Sequence, residues 1–296
     1  LVATTDPITF ATNRIGWYAV QVNANDIAVM GGTPRWMMAT VLLPEKTSEV
    51  EVDSIFAQMN DACRAIGVTL IGGHTEVTYN LPRPIITGVM LGEVDKGKEI
   101  RSSGAREGDS IIMTKAIAIE GCAILAEEAE EQLLKAGISD YHIQSGKRLL
   151  DNIGISIIKD AETAIKSGKI TAMHDPTEGG IAGGLRELAE ASNLGMHIDQ
   201  DRIEVTSLTR RYCEALKLNP LGLIASGTLL VCVDPKDEAS VIEALHIEGI
   251  SSYVIGELRE HSYGVKVNSV GSTKNLPKFG RDEIARFFSS QDVFTG

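Results

Sequence analysis

The sequence predicts an α/β (α+β) fold in two domains, on three observations. Strand-like and helix-like segments alternate along the chain, glycine pairs close several apolar runs, and the stretch 95–109 is polar and glycine-containing, with few apolar residues to anchor a core. That stretch sets the boundary, giving domains over 1–98 and 99–296. With 296 residues and 43% apolar side chains, the chain has material for two cores.

The elements follow in order. "LVATTDPITF" is short and β-rich and reads as a strand. From Thr12 the spacing of Ile15, Ala19, Val20, Asn23 and Ile27 is helical, until Gly31, Gly32 and Pro34 stop it. "RWMMATVLL" is the next strand. Ser48 and Glu51 form a capping box ahead of one apolar stripe, Val52, Ile55, Phe56, Met59, Cys63 and Ile66, which ends at Gly67. "VTLIGGHTEV" reads as a strand leading into a glycine turn, and "PIITGVMLGEV" closes the first domain. The second domain reads as a strand at 110–115, several helices to about Lys169, a strand, and a helix over 180–194 opened by glycines. It continues with "GTLLVCVD" and "SYVIGEL" around a helix, then "GVKV" and a terminal helix from Asp282.

Composition excludes several functions. A net charge of −12 argues against nucleic-acid and anionic-membrane surfaces, which are held by clustered Lys and Arg. An acidic protein still binds nucleotide where a divalent cation stands between its carboxylates and the phosphates. No run approaches the roughly 18 apolar residues of a membrane span, and no basic-then-apolar leader ends in a small-residue cleavage site, so the expectation is a cytoplasmic protein. Cys63, Cys122, Cys213 and Cys232 are scattered, without C-x-x-C or zinc spacing, and read as small buried apolar residues.

Four polar clusters carry the candidate chemistry. Asp6 closes an apolar run before Pro7, which by itself also reads as an Asp-Pro turn. Asn25 and Asp26 sit in an otherwise apolar helix, where an amide and a carboxylate are costly unless paired; the alternative is a solvated helix face. In "LIGGHTEV", Gly72 and Gly73 let backbone N–H groups approach an anion, while Glu76 can hold a hard cation; the alternative is a hairpin turn with a packed His74. In "MHDPTEGGIAGGL", Asp175, Thr177 and Glu178 precede Gly179 and Gly180 at a helix N-terminus that favours an anion, or Thr177 or Asp175 simply caps that helix. Jointly the clusters suggest Mg²⁺ ions bridging phosphates. His74 and His174 are candidate proton carriers, each equally readable as a hydrogen-bonding spacer.

"TTD", "NDIAVMGG", "GGHTEV", "RSSGAREGD" and "HDPTEGG" occur in the order and at the spacing of one superfamily. It contains aminoimidazole ribonucleotide (AIR) synthetase, thiamine-monophosphate kinase, selenophosphate synthetase and the hydrogenase-maturation dehydratase HypE. The resemblance spans nearly the whole chain; "NDIAVMGG" and "DPTEGGIA" are most similar to the HypE branch and "GGHT" to selenophosphate synthetases. It implies an ATP- and Mg²⁺-dependent enzyme with a two-domain AIR synthase-like fold, acting on a small molecule. It further implies a homodimer in which N-domain sheets pair, nucleotide near that interface, and a possible maturation-factor partner. By position, Asp6, Asn25, Asp26 and Glu76 resemble Mg²⁺-site residues of the N-domain, and Gly72, Gly73 and Thr75 resemble phosphate-lining ones. Arg101 looks like a nucleotide contact, and Asp175 and Glu178 resemble a metal-binding pair with Thr177 beside ATP and Gly179 and Gly180 closing the second-domain side of the phosphate cleft.

The chain also departs from the superfamily pattern. It ends "SSQDVFTG", without the terminal cysteine that carries the carbamoyl group in HypE proteins. It opens at Leu1, downstream of the family's "GDDAA"-like motif and of the glycine-rich segment that bears the reactive Cys or Sec of selenophosphate synthetases. His74 stands where the family carries an acidic residue. These departures leave a rival expectation, a non-catalytic ATP-responsive maturation or assembly factor.

Overall fold

A computed structural model describes residues 1–9 and 13–292, so Thr12, where the first helix was expected to begin, and the last four residues lie outside the described residues. The chain divides into two compact units, Leu1–Glu99 and Ile100–Gly296.

The first unit runs β1 (Val2–Ile8), α1 (Ile15–Val29), β2 (Thr33–Pro44), α2 (Glu49–Ala65), β3 (Thr69–Thr78) and β4 (Ile85–Glu93). Its described strands form one sheet in the order β1-β4-β2-β3, antiparallel except for the β2–β3 pair. β2 alternates: Met37, Ala39, Val41 and Leu43 are buried while Met38 and Thr40 are exposed. One sheet face therefore packs on the helices, and the other is open. The capping box ahead of α2 is present, with the Ser48 hydroxyl accepting from the Glu51 N–H and the Glu51 carboxylate accepting from the Ser48 N–H.

One expectation in this unit is corrected. "GGHTEV" is not a turn, because β3 runs straight through it, its ladder with β2 continuing to Pro44 and Thr78. The register shifts between Met37 and Met38, whose β3 partners are Leu70 and Gly72, so Ile71 is the extra residue of a bulge. Gly73 then lies at φ +155° against Ala39, and any Cβ there would overlap the Ala39 carbonyl oxygen. The glycines absorb a bulge and do not end the strand.

The second unit runs β5 (Ser110–Thr114), α3 (Ile119–Glu128), α4 (Glu130–Lys135), α5 (Asp140–Lys147), α6 (Leu149–Asn152), α7 (Ile158–Ser167), β6 (Ile170–His174) and α8 (Gly180–Ser192). It continues β7 (Gly195–Asp199), α9 (Ser207–Leu216), β8 (Leu230–Val233), α10 (Glu238–Ile247), β9 (Ser252–Arg259), β10 (Val265–Ser269), β11 (Ser272–Asn275) and α11 (Glu283–Asp292). The described strands form a sheet ordered β11-β10-β7-β9-β5-β8-β6. β5 and β8 lie inside it and are buried at every residue, which suits the apolar LVCV of β8 and the Ile111–Met113 centre of β5. Ile181, Leu185 and Leu188 of α8 share a buried core with Ile111 and Met113 of β5, Met196 of β7 and Ile255 of β9. All four cysteines are free and buried. Among the described residues no helix is long and apolar enough to cross a membrane.

Candidate functional site

In the first unit the candidate residues are placed by the contact of β1 with α1. Asn23, fully buried on α1, accepts from the Asp6 main-chain N–H at 3.0 Å and donates to the Asp6 carbonyl at 3.3 Å and to the Ala19 carbonyl at 2.8 Å. One turn on, the Asp26 carboxylate accepts from the Thr4 hydroxyl at 2.7 Å. Thr4 and Asp6 alternate with exposed neighbours along β1 and so share its helix-facing side, about 7 Å apart for two residues of strand. The Asp6 main chain and the Asp26 carboxylate are thereby held at the same strand-helix contact, with Asn25 fully buried on the same helix. Sequence reasoning singled out Asn25 and missed Asn23. The available signal was the same for both, an amide inside an apolar helix.

Glu76 does not join them within one copy of the unit. The ladder aligns Asp6 with Gly88, Ala39 and Gly73, all on the helix-facing side, whereas His74 is opposite Thr40 and Glu76 opposite Leu42, on the open side. Three strand spacings, about 14 Å, also separate β1 from β3. Strand alternation thus turns residues 73 and 76 to opposite faces, so within one copy of the unit Glu76 lies on the other side of the sheet from Asp6. His74 and Glu76 face each other at 3.8 Å, both largely exposed. Among the described residues no group of three or more His, Cys, Asp or Glu is gathered closely enough to hold a metal unaided.

In the second unit β6 delivers the 175–180 loop. Asp175 is buried, Thr177 half-buried and Glu178 exposed. Gly179 and Gly180 are both left-handed, at φ +79° and +63°. A Cβ on Gly180 would come within 2.6 Å of the Leu221 carbonyl oxygen, so the loop packs tightly on its neighbour segment. The alternative of Thr177 or Asp175 as N-cap is corrected: Gly179 occupies that position, with no side-chain cap of its own. The anion at this helix end is the remote carboxylate of Asp282, which accepts from the Gly179 N–H at 2.7 Å. The Gly180 N–H bonds the Thr177 carbonyl at 3.1 Å. Both glycine amides expected to face phosphate are thus engaged internally.

His174 lies 2.8 Å from the Glu187 carboxylate of α8, bridging β6 to that helix. This hydrogen bond holds the Glu187 carboxyl below its usual range. Burial pushes the Asp282 carboxyl up to about 6, against the downward pull of its N–H donors from Ile284 and Gly179. Sequence reading missed Asp282 because it lies 103 residues from Gly179 in the chain. Arg101 is exposed at the start of the second unit, where its carbonyl accepts from the Gly104 N–H at 2.9 Å.

Comparison with known proteins gives matches along nearly the whole chain. Residues 1–94 match the AIR synthase related protein, N-terminal domain, and residues 106–268 the AIR synthase related protein, C-terminal domain. The carbamoyl dehydratase HypE of Rhizobium leguminosarum bv. viciae is 29% identical over 297 residues, covering 97% of this chain and 82% of its own. A solved structure of the hydrogenase maturation protein HypE in complex with ATP has a TM-score of 0.80 at 23% identity, over 95% of this chain and 86% of that one. A HypE–HypF complex gives a TM-score of 0.79 at 22% identity, over 94% of this chain and 90% of that one.

Proposed function

Because this chain belongs to the AIR synthase-related protein family, with each of its two units matched by a family domain, we propose that it is a Mg²⁺- and ATP-dependent enzyme that phosphorylates an oxygen of a small molecule or of a carbonyl or amide group. The observation that carries the reading is that Asp6, whose main chain is fixed by Asn23, and Asp26, whose carboxylate is bonded by Thr4, lie on one strand-helix contact. Two carboxylates suit Mg²⁺, which takes oxygen ligands and completes its octahedron with water and substrate phosphates. When bound, the ion supplies charge neutralisation on the phosphate oxygens. Gly73 and Thr75 lie on the same sheet face as Asp6, and Arg101, Asp175, Thr177 and Glu178 are the second unit's candidates toward nucleotide and substrate.

In the reaction the acceptor oxygen forms a bond to the γ-phosphorus, the bond to the oxygen bridging the β- and γ-phosphates breaks, and ADP leaves. Catalysis by this chain's own residues is chiefly positioning, since phosphoryl transfer asks for little covalent chemistry from the protein. Copies pair through the first unit's sheet at its edge strand β3, which leaves Ile71 51% and Val77 58% exposed and also carries His74 and Glu76. The similarity to HypE supports a carbamoyl-type acceptor and, through the HypE–HypF complex, a maturation-protein partner. The cytoplasm is the proposed compartment.

Steady-state ADP release tests the assignment, with carbamoyl, thiamine, selenide and purine-precursor acceptors compared side by side. The expected result is Mg²⁺-dependent ADP release stimulated most by a carbamoyl acceptor, from a species that light scattering shows to be a dimer. ATP binding without ADP release for any acceptor would instead favour the non-catalytic maturation factor, and a monomer would remove the pairing face.

A further inference from the structure

The segment 276–283 is fastened across the start of α8 and the adjoining 219–222 stretch at every few residues. The Arg186 guanidinium of α8 donates to the Leu276 carbonyl and, at 3.4 Å, to the Pro277 carbonyl. The Phe279 ring packs on Gly222 so closely that a Cβ there would come within 2.6 Å of it. The Glu283 carboxylate accepts from the Asn219 N–H at 2.8 Å. Asp282 divides its two oxygens: one accepts from the Ile284 N–H at 2.8 Å, at the start of α11, and the other from the Gly179 N–H at 2.7 Å. Asp282 is only 6% exposed, so its charge is held inside the protein by main-chain donors and the N-terminal ends of two helices.

We infer that Asp282 is a positioning residue for the ATP reaction, an internal anion that sets the backbone of the 175–180 loop so that Thr177 and Glu178 are presented in one geometry. This rests on the reading of that loop as part of the ATP-dependent site. With the Gly179 amide taken by Asp282 and the Gly180 amide turned onto Thr177, neither glycine N–H is left for a ligand, and the loop's side chains carry more of the contact. At 6% exposure the ionised carboxyl is costly to bury, and main-chain N–H donors offset that cost. What a carboxylate adds is two acceptor oxygens in fixed directions, which serve the strap's own helix, the loop and the Ile224 N–H together. Holding reacting groups within fractions of an ångström is where such a contact acts on rate.

The two tasks are separable by substitution. Asp282→Ser keeps a short oxygen that can cap α11 but cannot reach Gly179, Asp282→Asn keeps the volume and one acceptor oxygen, and Asp282→Ala removes both roles. The measurement is KM for Mg-ATP and kcat beside the melting temperature. The expected result for Asp282→Ser is a rise in KM for Mg-ATP of about tenfold or more, or an equal fall in kcat, at a melting temperature above that of Asp282→Ala. Asp282→Asn is expected to fall between Asp282→Ser and the parent. Parent-like KM and kcat in Asp282→Ser overturn the inference, as does a loss of folding in both the Ser and Asn variants, which would make Asp282 a structural post only. An absence of Mg-ATP turnover in the parent protein is a different outcome: it removes the proposed function on which the inference rests.

Discussion

Asp26→Asn is expected to lower Mg-ATP turnover by two orders of magnitude, roughly the loss seen when one charge-stabilising group is removed from a reacting centre. The melting temperature should stay within a few degrees of the parent's. Asparagine has the shape of aspartate and still offers an oxygen to the Thr4 hydroxyl, which lies 2.7 Å from the Asp26 carboxylate, so the β1–α1 contact survives. What is lost is the negative charge. Keeping the hydrogen bond while removing the ion's ligand should lower activity and leave stability close to the parent's. Unchanged turnover would take Asp26 out of the metal site. A large drop in melting temperature would show instead that its charge serves the fold.

Gly73→Ala is expected to destabilise the first unit by roughly 3 kcal/mol or more, in the range of substitutions that force strain at a special backbone conformation. Its neighbour Gly72→Ala should stay within about 0.5 kcal/mol, as surface changes usually do. The contrast comes from the bulge in β3. A Cβ on Gly73 overlaps the carbonyl of Ala39 across the parallel ladder, while one on Gly72 meets nothing within 4 Å. Urea unfolding of both variants reads the difference. Equal small losses would mean that β3 does not hold Gly73 against Ala39, and that the glycine pair is retained for something other than the fold.

The parts of this architecture that were legible in the sequence are the local ones. Ser48 and Glu51 announced α2 because a capping box is written within four residues, and the apolar residues of 110–115 and of "GTLLVCVD" announced the strands β5 and β8. "GGHTEV" was misread as a turn because two glycines signal a break, and whether they break a strand or bulge it depends on Ala39 of β2, which the segment itself does not contain. The same limit separated Glu76 from Asp6 and Asp26. Spacing along the chain is silent on which face of the sheet each residue occupies until the register is known. Asp282 was illegible for the reason that makes it informative: its role is set by a contact with Gly179, and nothing near position 282 looks like a ligand motif. The candidate site was therefore readable as a set of residue types, and not as a set of neighbours.

The central claim is that this chain engages ATP through carboxylate-bound Mg²⁺, and thermal unfolding with nucleotide tests it most directly. A ligand that binds only the folded state raises its stability by an amount set by concentration over Kd, about 2.7 kcal/mol at a hundredfold excess over Kd. Mg-ATP at that excess is expected to raise the melting temperature by several degrees, and ATP with EDTA to leave it close to the unliganded value, because bare triphosphate meets Asp6 and Asp26 as like charge. Equal shifts with and without EDTA would contradict a metal-bridged site, and no shift with Mg-ATP would contradict the claim that the chain binds ATP.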